Sequence, residues 1–247
     1  MKEVKATTMA TQERSRTGIK SLLGVCLLVA STLAVSAQKS AVLDAFSKHG
    51  IDAGLLDPEA LKQPDNYAFD LRFSSTAAGK QTVTEAKFDP SKSEEERWTV
   101  VSVDGKSPSR GEVTSFRKNH AKPESAPIKA DDASYKVEKE TGDYLVISYK
   151  QDAASVPKDA SFMKDCRSFM TINLKTKRAE EVKAINEKPV KVKILNAEKF
   201  EVTVKYNWNE QAKRYFTVSD NLNMLAKFIG QTTNVETISE YSNFTRK

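Results

Sequence analysis

The sequence predicts a mainly β protein of the α+β kind: a strongly curved antiparallel sheet capped by two or three helices. The first observation behind this is the stretch 66–103, which reads as three antiparallel strands in succession. Tyr67, Phe69, Leu71 and Phe73 alternate there with Ala68, Asp70, Arg72 and Ser74, the period-two pattern of a strand with one buried and one wet face. The second is that similar alternations return along the rest of the chain, about ten in all. The third is that helical patterning is confined to the N-terminal part and one insertion. So many one-sided strands need a cover, and the few helices are the material available for it.

Taken in order, the chain opens with Arg14, Arg16 and Lys20, then an apolar run from Leu22 to Val35 that ends in Val35-Ser36-Ala37. A basic region, a short apolar core and small residues at the end make a secretory signal peptide over residues 1–37, cleaved after Ala37. The run is shorter than the ~20 residues a spanning helix needs. Export to the periplasm is the expected localisation. Cys26 falls inside the removed segment, leaving Cys166 as the one cysteine of residues 38–247. A disulfide within the chain is then ruled out, and Cys166 reads as a small buried residue, not a reactive thiol.

Residues 38–247 form one expected domain. Lys39 to His49 carries Val42, Leu43 and Phe46 on one side of a helix, with Gly50 as its stop. Leu55, Leu56 and Leu61 around Pro58 suggest further helical turns. Ala78-Gly79 and Asp104-Gly105 are turn dipeptides bounding the second and third strands. Ser107 to Asn119 reads as a helix started by Pro108 or Ser109, with Val113 and Phe116 as its apolar seam. Residues 121–132, with two prolines and scattered charge, read as a mobile loop. Hairpins follow: Tyr135–Lys139 with Asp143–Tyr149, Arg167–Leu174 with Arg178–Ile185, and Val190–Ile194 with Phe200–Tyr206. Arg214–Val218, Met224–Ile229 and Val235–Phe244 complete the meander, with Leu222–Ile229 also compatible with helix.

Composition excludes some functions. The chain has 39 basic and 33 acidic residues, of which the first 37 positions hold five and two, leaving +3 on the remainder. Charge that small and that interspersed is no nucleic-acid footprint. His49 and His120 are the two histidines, and both read as solvated surface residues without a catalytic or metal-binding partner. Lys106 and Ser107 follow Gly105, but Val100 stands where a phosphate loop needs its first glycine. Glu94-Glu95-Glu96, Asp131-Asp132 and Glu180-Glu181 read as solvated charge runs. No catalytic residue, metal site or cofactor is expected.

What remains is the apolar face. Tyr67, Phe69, Leu71, Phe73, Trp98, Val100, Val202 and Val204 are the candidate lining of the concave side. They serve equally as plain core filled by the helices or as the wall of a cavity for an acyl chain, because both use the same side chains.

The signal segment, the helix after it, the strand 66–74, the run Trp98-Thr-Val-Val-Ser-Val-Asp-Gly-Lys106 and the closing Ile238-Ser-Glu-Tyr-Ser-Asn-Phe244 resemble the periplasmic lipoprotein carriers, the LolA/LolB-like family, and related uncharacterised envelope proteins. The resemblance implies an unclosed half-barrel with a helical lid, an apolar cavity that shields acyl chains from water, and an acyl lipid or lipoprotein as partner. Arg72 lies where that family carries an arginine, but the pattern around it differs and the role is not transferred. The expected function is thus a non-enzymatic lipid- or lipoprotein-binding protein of the cell envelope. A secreted structural or protein-interaction module with a packed core, binding other envelope proteins, is the alternative.

Overall fold

The structure, a computed structural model, describes residues 38–120, 128–228 and 230–247. The expected signal peptide and most of the expected loop 121–132 lie outside the described residues.

Residues 38–49 form helix α1. It buries Val42, Ala45 and Phe46, which fall on one side at helical spacing. Its end is built by Gly50, whose φ of 62° only glycine adopts without strain. The Gly50 amide donates to the Ser47 carbonyl at 3.1 Å and the Ile51 amide to that of Phe46 at 2.8 Å. This is a Schellman end, and Ile51 joins Phe46 in the core as the motif's apolar contact. Two 3₁₀ turns follow, Ala53–Leu56 and Pro58–Leu61. Asp52 and Asp57 cap them by accepting from the amides of Gly54 and Glu59, both at 2.9 Å.

The strands are β1 (Tyr67–Ala77), β2 (Lys80–Phe88), β3 (Trp98–Val103), β4 (Lys136–Glu140), β5 (Tyr144–Lys150), β6 (Cys166–Asn173), β7 (Arg178–Asn186), β8 (Val190–Val192), β9 (Leu195–Asn209), β10 (Arg214–Phe228) and β11 (Gln231–Arg246). Both expected turn dipeptides make two-residue hairpins with positive φ at each central position, Ala78 and Gly79 at 50° and 78°, Asp104 and Gly105 at 49° and 72°. Helix α2 spans Arg110–His120. Ser109 starts it through a capping box: its amide and hydroxyl donate to the Glu112 carboxylate, each at 2.7 Å.

The strands form one antiparallel sheet in the order β3-β2-β1-β11-β10-β9-β7-β6-β5-β4, with β8 paired to β9. It is open, its edges being β3 and β4, and it is not strongly curled, so the curvature of a half-barrel is not established. The stretches Arg214–Val218 and Met224–Ile229, expected as separate strands, belong to the single strand β10 up to Phe228. A register shift between Thr217 and Ser219 lets it bend without breaking.

This order has one consequence that local patterning could not show. β3 and β4 are consecutive strands at opposite edges. The two described ends of the connection between them, α2 and the segment from Ile128 to Tyr135, pack on one face. The register defines that face. Ile147, Met170, Val182, Val204, Asp220, Ser239, Phe73, Thr84 and Val103 are successive partners across nine strands.

The side chains along this row are not uniformly apolar. One core gathers under α1 on β5, β6 and β7, another under α2 on β1, β2 and β3, and a third around Cys166, Phe200 and Met224. Between the first two lies a polar waist of Asp220, Ser239, Thr237 and Ser75. The central strands thus carry polar residues on this face between the two apolar clusters.

Candidate functional site

The sequence-derived candidates divide into three groups. Phe69, Leu71, Phe73, Trp98 and Val100 join Phe116 and Val113 of α2 in one cluster. Phe69 and Phe88 stack at 4.9 Å between centroids, and Trp98 meets Phe116 edge-on at 5.4 Å. Leu71, Trp98 and Val100 are buried. Tyr67 stands apart, its ring edge-on to Phe216 at 4.9 Å. Val202 and Val204 lie half-buried on β9, Val202 packed against the cluster of Cys166, Phe200 and Met224.

His120, expected in solvent, is part of the packing under α2. Its ring stacks on Phe116 and lies 5.3 Å from Trp98 and 5.9 Å from Phe73. Nδ1 donates to the Phe116 carbonyl at 2.9 Å, which fixes the proton on that nitrogen. His49 instead bridges α1 to the edge strand β4, with Nε2 2.8 Å from Glu140 Oε1.

The apolar hollow lies at the other end of the face. A partly open cavity of about 190 Å³ is lined by Leu55, Leu56 and Leu61 above, Met170 and Val182 below, and the rings of Tyr135, Tyr149 and Tyr206, with Gln151 and Ile128 at its side. Leu56, Asp57, Pro58, Ala130 and Tyr135 also line a wider outer groove of about 790 Å³, which reaches Leu43 of α1 and Lys39. An engineered void of ~150 Å³ accepts benzene, whereas ligand sites for larger molecules run ~300–1,000 Å³. The inner space alone therefore suits the end of an apolar chain, and the groove gives the remainder a path outward.

Each wall has a local cause. The aspartate-capped 3₁₀ turns aim Leu55, Leu56 and Leu61 at the sheet. Met170 and Val182 come from β6 and β7 in direct register. The far wall is pinned to the end of β5: the amide of Asp131 donates to the Lys150 carbonyl at 2.9 Å, and that of Asp152 to the Lys129 carbonyl at 2.8 Å. Residues 128–132, the described part of the expected loop, are tied down by these bonds.

Burial dominates the electrostatics. It pushes the Tyr149 phenol up to about 12. It also raises Tyr135, helped by the neighbouring Tyr149 and Asp132, and Tyr206, helped by Tyr149 and Asp220. All three are neutral hydrogen-bonding groups at ordinary pH. Cys166 matches its expectation, buried with its thiol pushed up to about 11 chiefly by desolvation. No cluster of three or more histidine, cysteine, aspartate or glutamate side chains fit to hold a metal occurs among the described residues.

The cavity residues escaped the sequence reading because they come from six separate stretches that meet only in the folded chain. One signal did exist: Leu55, Leu56 and Leu61 are an apolar group that needed a cover.

No family model and no curated protein matches the chain. Among solved structures, it is similar to a LolA superfamily protein from Nitrosomonas europaea, at 10% identity, over 78% of this chain and 91% of that one, with a TM-score of 0.34. At that identity and score the likeness stays at the outline of the fold.

Proposed function

We propose that this is a non-enzymatic binding protein that holds an apolar ligand, an acyl chain of a lipid or lipoprotein, in the periplasm after export by its N-terminal signal. One observation carries the reading: the cavity of about 190 Å³ between Leu56, Val182 and the three tyrosines, open to a larger groove. Binding there needs no covalent chemistry. Each methylene leaving water contributes ~0.8 kcal/mol, so micromolar retention takes roughly ten of them. The eight candidate residues stay in the proposal as further lining; Phe69, Leu71, Phe73, Trp98 and Val100 lie under α2, and a ligand would reach them by moving that helix.

The test is solvent extraction of protein purified from periplasm, followed by mass spectrometry, together with titration of a neutral fluorescent apolar probe. Co-purifying acyl species and saturable probe binding, weakened at least tenfold by Val182→Glu, are the expected results. A protein that is empty and blind to the probe would favour the second reading, a secreted interaction module. The packing of Leu71, Trp98 and Val100 under α2 is what speaks for that alternative.

A further inference from the structure

The sheet parts at one end, and two arginines line the mouth of the gap. β10 pairs with β11 from Ser219 opposite Glu240 to Phe228 opposite Gln231. Beyond Ser219 and Glu240 both strands run on to the same end of the sheet, each along its other neighbour. β10 follows β9 to Arg214 opposite Asn209, and β11 follows β1 to Arg246 opposite Tyr67. Three rings wedge the gap: Phe216, itself buried, meets Tyr67 edge-on at 4.9 Å and lies 4.7 Å from Phe244.

A pocket of about 460 Å³ opens there, inside the ~300–1,000 Å³ range of small-molecule sites. Its walls are Arg214, Arg246 and Tyr67, the turn between β9 and β10, and residues 62–66. Neither guanidinium has an ion-pair or hydrogen-bond partner among the described residues, although Glu59 and Asp65 line the same pocket. The side-chain amides of Gln63, Asn66 and Gln211 add neutral donors. A guanidinium presents a planar fork of N–H groups that fits two oxygens of a carboxylate or phosphate. Two forks brought in from two strands need more oxygens than one carboxylate has, and two like charges sharing a pocket favour a doubly charged guest.

We propose that this pocket is a second binding site, which takes the phosphate of a phosphate monoester between Arg214 and Arg246. The site stands independently of the apolar cavity, although the two adjoin: the 3₁₀ turn Pro58–Leu61 gives Leu61 to the cavity and Glu59 to this pocket. Free phosphate esters and phosphate-headed lipids share the chemistry that the arginines recognise, and the experiment separates them.

The experiment is an NMR titration of the ¹⁵N-labelled protein at pH 7.5 and low ionic strength, following the arginine Nε–H signals. The probes are glycerol 3-phosphate, glycerate, and dihexanoyl phosphatidate kept below its micelle-forming concentration. Saturable binding of glycerol 3-phosphate is expected, about fivefold or more tighter than that of glycerate. Arg214→Gln and Arg246→Gln should each weaken it by about fivefold, the worth of a forked pair at an exposed site. Arg110→Gln removes the same charge from an exposed position on α2 and should change binding by less than about twofold. Arg246→Lys keeps the charge but loses the fork; it should bind more weakly than the parent, and it serves if a glutamine variant folds poorly. Phosphatidate binding well above glycerol 3-phosphate, and lost in the same variants, would identify a lipid headgroup as the guest, whereas equal affinities would identify a free ester. No saturable shift, glycerate binding as tightly as the phosphate, or an Arg110→Gln loss equal to the other two would overturn the site. Because glycerol 3-phosphate carries no acyl chain, its failure to bind would leave the reading of the apolar cavity in place.

Discussion

The rings of Phe116 and His120 stack with their centroids 3.8 Å apart and their planes 17° from parallel. The two residues are one helical turn apart, so α2 presents them as a single plate to Trp98 and Phe73. Besides this plate, Arg117 Nε donates to the Trp98 carbonyl at 2.9 Å and Val113 is half-buried, while most other positions are exposed. Phe→Ala changes in cores cost ~3–5 kcal/mol when the surroundings stay put. Here the cheaper outcome is release of the helix. Phe116→Ala should raise hydrogen exchange of the α2 amides by at least tenfold while amides of β9 and β10 keep their protection. His120→Ala should act in the same direction, by about 1 kcal/mol. Equal loss of protection across the sheet would show that α2 is integral to the global fold.

Gly50 closes α1 with a φ that a β-carbon disfavours, and a β-carbon there would also come within 3.0 Å of Lys177 Nζ. The lysine tip can move aside, so backbone conformation decides the cost. Gly50→Ala is expected to lower stability by about 1–2 kcal/mol, measured by urea unfolding with an unchanged slope. Lys177→Ala added to it should change the result little. A neutral Gly50→Ala would mean that the Schellman end contributes nothing to holding Phe46 and Ile51 in place.

How far the sequence spoke can be judged from particular residues. The alternation from Tyr67 to Phe73 and the dipeptides Ala78-Gly79 and Asp104-Gly105 place β1, β2 and β3 correctly, because strand patterning and turn chemistry are local. Ser109, one of the two starts read for α2, is the residue that caps it. The order of strands is not local. β1 pairs β11 from the far end of the chain, and nothing in either strand's alternation names the other. His120 was misread because a histidine beside lysine and asparagine looks solvated until the partner sheet is known. The candidate lining was drawn from strands alone, whereas the cavity needs Leu56 and Tyr135, which no strand contains. Apolar patterning tells which side chains leave water, but not whether they meet each other or a ligand.

Tyr149 titrates at about 12 in the folded protein, against 10.0 for the free phenol. Because the folded value is the higher, the buried phenol favours folding below pH 10, and this contribution is lost as pH rises through 12. A shift of this size is worth roughly 2–3 kcal/mol. Tyr135 and Tyr206 act in the same sense. Stability is therefore expected to fall steeply above pH 10, and tyrosinate absorbance should show a late-ionising class that appears together with unfolding. Tyr149→Phe should remove one member of that class and flatten the alkaline limb. An unchanged titration curve would mean that the Tyr149 hydroxyl is solvated, in conflict with the burial that raises it.

The acid limb should be governed by a different end of the sheet. Glu187, just past β7, takes Arg167 Nε at 2.9 Å and also binds Lys150, which ties β5, β6 and the turn after β7 together. Its carboxyl is held below the ordinary 4.5, first by the Lys150 and then by the Arg167 hydrogen bond. The folded value is the lower, so this contribution is present above pH 4.5 and disappears as pH falls through the folded value. The group is 40% exposed, and solvent screening keeps the effect modest. Glu187→Gln should thus be less stable than the parent at pH 7, with the gap closing on acidification and narrowing in high salt. Arg167 also donates to the Ser134 carbonyl at 3.3 Å and to Ser148 Oγ at 3.2 Å. Arg167→Met should therefore cost more than Glu187→Gln and keep part of its deficit at low pH, where the carboxylate is gone but those two acceptors still lack their donor. A double variant whose loss equals the sum of the two single losses would show that Glu187 and Arg167 do not act as a pair.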